Sequence, residues 1–135
     1  MLPAASFDES LLDREFLIIC LCAEWCGTCR DYRPGFAALA AEFPTAGFLW
    51  FDIEDDAGLV GDLDVENFPT LLIQRDRHVL LYGPQLPDHG LLRRLVQSFL
   101  AQPLEDAMRY AASPERAAWQ TDCNLRATLR QALAT

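Results

Sequence analysis

The feature that most constrains the fold is an apolar run followed at once by two cysteines. Residues 16–22, FLIICLC, are all apolar and include branched side chains, a pattern typical of a strand buried on both faces. The next residues, AEWCGTCR, place Cys26 and Cys29 where such a strand ends and a helix begins. At a helix N-terminus this spacing brings two side chains together on one face. The junction therefore predicts an α/β fold with two neighbouring thiols.

Helix and strand patterns alternate along the rest of the core. A short helix with Ser6 as N-cap candidate precedes the first strand, and the last two predicted strands form a hairpin. The remaining predicted elements are a helix at 29–43, a strand at 47–53, a short helix at 56–63, strands at 69–74 and 78–82, and a helix at 88–101. This order predicts a mixed, mainly parallel sheet with helices on both faces.

Residues 103–135 differ from the core that precedes them. Pro103 breaks the preceding helix, and two helical segments follow, the second capped by Ser113 with Pro114 at its first position. The apolar stripe of that second segment predicts that it packs back on the core. We therefore divide the chain into a domain at 1–102 and a helical extension at 103–135 packed on it. The alternative is that the extension offers a surface to a partner.

Charge and hydropathy exclude several classes of function. The net charge is -9, with 20 acidic against 11 basic residues and no basic cluster, which argues against nucleic-acid and anionic-membrane partners. The early apolar run is too short for a membrane span and lacks the basic start of a secretory signal. We expect a cytoplasmic monomer. Five cysteines in such a protein indicate reduced thiols, a metal site or redox catalysis.

The two cysteines at the junction are expected to take different roles in disulfide exchange. Free N–H groups and the helix dipole at a helix N-terminus favour an anion, and the thiolate is the reactive form of cysteine. Cys26 lies nearer the tip and would attack a substrate disulfide, whereas Cys29, one turn in, would release the reduced substrate. Trp25, as an apolar platform, and Gly27 and Thr28, as a small loop, should border the substrate groove, and Arg30 should tune the site through its positive charge.

The segment ENFPT at 66–70 is a second candidate feature. A proline that starts a strand after a turn is a candidate for a cis peptide bond. If Pro69 is cis and lies beside the cysteine loop, the backbone of Phe68 is free to pair with an extended substrate. The alternative is that Pro69 merely begins an edge strand.

These residues together resemble the thioredoxin family. The resemblance rests on AEWCGTCR, on Pro34, on FPT at 68–70 and on Gly83, and it covers roughly residues 6–101. It implies a thioredoxin-like fold and a protein-disulfide oxidoreductase that contributes to cell redox homeostasis. It further implies a Cys26–Cys29 redox disulfide with no other cofactor. Substrate would lie along a groove with Phe68, cis Pro69 and Thr70, and thioredoxin reductase would be a partner.

The chain also departs from the family pattern. Thr28 stands where thioredoxins usually have proline, which restores a backbone N–H at the helix start and predicts a more oxidising couple. Cys20 stands where the family keeps a buried aspartate, and Trp50 falls at about the place of its lysine partner. We therefore expect slow resolution by Cys29 near neutral pH, unless Glu24 or Asp52 accepts the proton. The family's first strand is expected to be missing.

Two rival interpretations concern the other cysteines and the extension. Cys20, Cys22, Cys26 and Cys29 provide four thiols, enough for zinc or an iron–sulfur cluster. However, Cys20 and Cys22 lie about 7 Å apart along a strand, and buried cysteine commonly packs as a small hydrophobic residue. We predict no metal, core roles for these two thiols, and an inert Cys123. The other rival is a thioredoxin-like adaptor whose partner docks on the C-terminal helices.

Overall fold

Four strands form a single mixed sheet in the computed structural model, which describes residues 7–61 and 63–134. The strands are β1 Phe16–Cys22, β2 Gly47–Asp52, β3 Thr70–Arg75 and β4 His78–Pro84. The spatial order is β2-β1-β3-β4. Strand β1 pairs parallel with β2 and antiparallel with β3, and β3 and β4 form the predicted hairpin. All seven residues of β1 are buried, so the predicted mixed sheet and central apolar strand are confirmed. The sheet is not mainly parallel as predicted, because only one of its three strand pairings is parallel.

Six α-helices and two short 3-10 helices complete the described chain. The α-helices are α1 Gly27–Glu42, α2 Ala57–Val60, α3 His89–Ala101, α4 Leu104–Ala111, α5 Ala117–Asp122 and α6 Leu125–Leu133. The 3-10 helices are Glu9–Asp13 and Pro114–Arg116. None of the helices within these described ranges is long and apolar enough to cross a membrane.

The ends of several helices differ from the predicted ones. Asp8 caps the first 3-10 helix by accepting a hydrogen bond from the Ser10 N–H, and the predicted cap Ser6 lies outside the described residues. No strand precedes β1 within residues 7–15. The single helix predicted from Ser113 is divided, because Asn124 starts a new helix by accepting a hydrogen bond from the Ala127 N–H.

Alternate residues of β1 face two separate helical layers, as the two-residue period of a strand requires. Ile18, Cys20 and Cys22 face the layer built by α1, α3 and α4. The intervening residues Ile19 and Leu21 face the layer built by α2 and by the end of the extension, including α6. The extension thus supplies helices to both faces of the sheet.

Polar contacts attach the extension to the core. Arg126 of α6 is 8% exposed and donates hydrogen bonds to the backbone carbonyls of Leu12, Glu15 and Asp76. Gln120 of α5 accepts a hydrogen bond from the Val79 N–H and donates one to the Val79 carbonyl, each at 2.9 Å. These bonds join the extension both to the segment before β1 and to strand β4.

Candidate functional site

Cys26 is the N-cap residue of α1. Its backbone is extended, with φ -84° and ψ 121°, and its carbonyl accepts the Arg30 N–H at 3.1 Å. The side chain of Cys26 is a free thiol of intermediate exposure and makes no capping hydrogen bond. The first N–H groups of the helix, including those of Gly27 and Thr28, have no partner within it. A partly exposed cysteine therefore lies at the helix end that favours negative charge.

Cys29 is bonded to Cys22 in this structure, so the observed disulfide differs from the expected Cys26–Cys29 pair. Cys22 is buried as predicted, but it is a disulfide partner and not merely a core residue. Cys22 ends β1, and a four-residue loop turns the chain back so that the first turn of α1 covers that end. The Cα atoms of Cys22 and Cys29 are consequently 5.8 Å apart, within the usual disulfide range.

The proline segment lies next to the cysteine loop. The Phe68–Pro69 peptide bond is cis, which confirms the expectation. The Phe68 ring meets the ring of Trp25 edge to face at 5.5 Å, and Trp25 is 63% exposed. Thr70 begins β3 and donates its hydroxyl to the Asn67 carbonyl at 2.7 Å. Among the described residues, no hydrogen bond occupies the Phe68 backbone, so Trp25 and Phe68 border an open surface.

A cavity of about 530 Å³ lies on the other side of Cys29. It is lined by Cys29, Arg33, Trp50 and Asp52, among others. Arg33 is not among the predicted site residues, although its position four residues after Cys29 on α1 places both side chains on one face of that helix. Arg30 instead lies against the loop before Cys26, where it donates a hydrogen bond to the Glu24 carbonyl at 2.9 Å.

Asp52 ends β2 beside the end of β1. Its carboxylate accepts the N–H groups of Glu24, Glu54 and Asp55 at 2.6, 2.8 and 3.0 Å. Burial by itself raises the pKa of Asp52, but these three hydrogen bonds and the charge of Arg33 outweigh it, and the pKa is lowered. Asp52 is therefore an ionised, weak base. Carboxylate oxygens of Glu24, Asp52 and Asp55 lie within 4.8 Å of one another, so this wall of the cavity is negative.

Comparison with known proteins identifies the family. A family model described as Thioredoxin matches residues 1–88, well over half of the chain. The chain belongs to the thioredoxin family. A Streptomyces coelicolor protein provisionally named thioredoxin 2 is 30% identical over 118 residues, covering 86% of each chain. A rice thioredoxin H-type is 40% identical over 60 residues, which are 44% of this chain and 49% of that protein.

Solved structures support the same fold. The crystal structure of thioredoxin from Trypanosoma brucei brucei has a TM-score of 0.60 at 22% identity, covering 76% of this chain and 89% of that chain. At this sequence identity, the similarity supports the fold alone. The family membership and the cysteine site together show that this chain is a protein-disulfide oxidoreductase, which acts on protein disulfides.

The place of the family's buried ion pair is uncharged in this thioredoxin-family chain. Cys20 and Trp50, the two predicted tuning residues on the sheet, are register partners on β1 and β2. Cys20 is fully buried. Burial raises the pKa of its thiol well above the ordinary value, and Arg33 opposes this only in part. The Arg33 guanidinium lies 5.3 Å from the centre of the Trp50 ring. Cys20 is therefore a neutral thiol and not a substitute base.

Cys123 lies in the other helical layer, away from the site. It is buried between α5 and α6 among apolar residues. Burial, followed by the charge of Asp122, raises the pKa of Cys123 to about 11. The thiol is therefore neutral near pH 7 and a poor nucleophile, which suits it as a matched control in experiments on the other cysteines.

Proposed function

We propose that the chain reduces or exchanges protein disulfides with Cys26 as the attacking thiol and Cys29 as the resolving thiol. The observation that carries this assignment is the difference in exposure within one helical turn. Cys26 is a free, partly exposed N-cap residue, whereas Cys29 is 1% exposed. Only Cys26 is open to a bulky substrate, and only a sulfur held close beside it can complete the exchange.

The exchange has two steps. The Cys26 thiolate attacks one sulfur of the substrate disulfide, the S–S bond breaks, and the other substrate sulfur leaves as a thiolate. Cys29 then attacks the Sγ atom of Cys26, which forms the Cys26–Cys29 disulfide and releases the second substrate thiolate. An extended substrate would lie against Trp25 and pair with the free backbone of Phe68, beside Pro69 and Thr70.

The surroundings of the site favour particular partners. Glu24, Asp52 and Asp55 make one side negative, which favours substrate segments that are neutral or basic over acidic ones. The net charge of -9 disfavours nucleic acid and anionic membrane as partners. We assign the chain to the cytoplasm as a monomer, with thioredoxin reductase as the source of electrons and the Cys26–Cys29 disulfide as its redox group. The N–H restored by Thr28 favours a more oxidising couple than that of a proline-containing site.

Replacement of Cys29 by serine should trap substrates on Cys26. The first step is retained, but serine cannot break the mixed disulfide, so an adduct at Cys26 accumulates. We would incubate the variant with reduced and with disulfide-bonded insulin, quench with acid, and locate the adduct by mass spectrometry. The matched control is Cys123→Ser, which should form no lasting adduct. Adducts on any residue other than Cys26, or none at all, would remove Cys26 from the attacking role.

The rate of resolution should depend on pH. From reduced protein, we expect release of a chromophoric thiol from its Cys26 adduct to rise up to about tenfold per pH unit between about pH 6 and pH 8. Because the pKa of Asp52 is lowered, its carboxylate stays ionised throughout this window and takes up no proton. Asp52→Asn should therefore leave the slope unchanged. Stopped-flow absorbance measures the rate, and a wild-type rate that is flat with pH would show that an internal proton acceptor exists.

A further inference from the structure

We propose that Cys22 is a third redox cysteine, which takes the disulfide over from Cys26 so that the oxidised protein holds a buried Cys22–Cys29 bond and a free Cys26 thiol. This inference rests on the exchange proposed above for Cys26 and Cys29. It adds a reacting sulfur and gives the oxidised protein a different thiol composition from that of a two-cysteine site.

The backbone places Cys29 between two possible partners. Cys26 is three residues before it in the first turn of α1, where side chains at this spacing are neighbours. Cys22 faces it from the end of β1, with the two Cα atoms 5.8 Å apart. One sulfur can therefore bond to either partner with little movement of the backbone.

Solvation favours the buried bond. Cys22 and Cys29 are each 1% exposed, and a neutral disulfide suits an apolar core. Cys26, in contrast, lies at the helix N-terminus, where solvent and free N–H groups stabilise a thiolate. The isomer with Cys22 bonded to Cys29 keeps the uncharged sulfurs inside and the ionisable sulfur outside. The other isomer removes the ionisable sulfur from the helix N-terminus.

Cys20 provides the hydrogen-bonding partner that this exchange needs. Its Sγ atom lies 3.9 Å from the Sγ atom of Cys22, on the same face of β1. Because burial raises the pKa of Cys20, its thiol keeps its proton and can donate to the Cys22 sulfur as that sulfur becomes a thiolate. Hydrogen bonding to the charged form favours that form. Cys20 is thus a positioning residue for Cys22.

The transfer is an internal disulfide exchange that balances without an added oxidant. The Cys22 thiolate attacks the Sγ atom of Cys29, the Cys26–Cys29 bond breaks, and Cys26 leaves as a thiolate. The proton lost by Cys22 is returned through solvent to Cys26. One disulfide is consumed and one is formed, so no sulfur pair is oxidised or reduced overall.

The transfer changes what the oxidised protein can do. Its Cys26 can attack a second disulfide, but Cys29 is no longer available to resolve the adduct. Oxidation therefore converts a two-thiol reductase into a one-thiol form, which keeps the substrate attached to Cys26 as a mixed disulfide. Reductant regains access to the stored disulfide when Cys26 attacks Cys29 and reverses the transfer.

Peptide mapping can distinguish the two disulfides. We would equilibrate the full wild-type chain in a glutathione redox buffer, quench with acid, alkylate free thiols, and cleave after glutamate without reduction. Cleavage after Glu24 separates Cys22 from Cys26 and Cys29. A Cys22–Cys29 bond then links two peptides, whereas a Cys26–Cys29 bond lies within one. We expect the linked pair to exceed the internal disulfide by at least about tenfold, with Cys26 alkylated.

Two variants and one titration complete the test. Cys22→Ala should shift the bond to Cys26–Cys29. Cys20→Ala should still form the linked peptides, but more slowly than the wild type when samples are quenched with acid at timed intervals after oxidation. The oxidised wild type should release one equivalent of chromophore from an aromatic disulfide reagent, and oxidised Cys22→Ala should release none. A wild type with only the internal Cys26–Cys29 bond would overturn this inference and leave the proposed function standing. A wild type with neither bond would overturn both.

Discussion

Replacement of Cys26 by serine is expected to lower the rate of insulin reduction by roughly 1,000-fold or more. A hydroxyl is a far weaker nucleophile than a thiolate at neutral pH. Cys22 and Cys29 cannot take over the attack, because each is 1% exposed. The rate is measured by the turbidity of reduced insulin, with dithiothreitol as the electron source and its uncatalysed rate subtracted.

The loss of activity in this variant should not reflect loss of folding. Cys26 is the N-cap residue of α1 and makes no side-chain capping bond, whereas serine is a favoured N-cap residue. Cys26→Ser should therefore be at least as stable as the wild type in a urea titration. Cys123→Ser is the matched control and should retain its activity. If Cys26→Ser retained a tenth of the wild-type rate, another sulfur would have to be the nucleophile.

Replacement of Arg126 by methionine should lower the free energy of unfolding by about 2–4 kcal/mol. Arg126 donates to the carbonyls of Leu12, Glu15 and Asp76. Methionine fills similar space but removes all three charge-assisted hydrogen bonds, each of which contributes on the order of 1 kcal/mol or more. The carbonyls keep only their second donors, from Arg130, Asp76 and Gln74. The change is measured from the midpoint and slope of urea unfolding.

Arg130 provides the control for this prediction. It lies one turn further along α6, donates to Leu12 and pairs with Asp13 at 2.9 Å, but its side chain is 51% exposed. Arg130→Met should therefore cost less than about 1 kcal/mol. Equal losses for the two variants would show that charge near the segment before β1, and not the burial of Arg126, stabilises the extension.

The strands of the sheet could be predicted from local sequence because their patterns do not depend on distant residues. Residues 16–22 are buried on both faces and apolar throughout, and the turn between β3 and β4 follows from the short charged segment that separates two apolar runs. The helix boundary near the end of the extension could not be predicted in this way. Asn124 divides it because its side-chain oxygen accepts both the Ala127 N–H and the Gln74 amide, and the second partner is 50 residues away.

The functional site likewise combines residues that could be predicted from local sequence with contacts that depend on distant residues. Cys26 and Cys29 are recognisable because their spacing and position at a helix start carry the chemistry locally. The bond from Cys29 to Cys22 could not be predicted, because it depends on how the loop at 23–26 brings α1 over the end of β1. Likewise, Asp52 gains its lowered pKa from N–H groups of Glu24, Glu54 and Asp55, and the first of these lies on another loop.

The Gln120 side chain covers part of the outer edge of the sheet. Strand β4 is an outer strand, and an outer strand exposes backbone groups on which another chain can add a strand. The Gln120 side-chain amide makes the two hydrogen bonds with Val79 that a neighbouring strand would otherwise make. The C-terminal helices therefore do more than cover the sheet, because at this point they occupy the backbone groups that a second molecule would need to extend it.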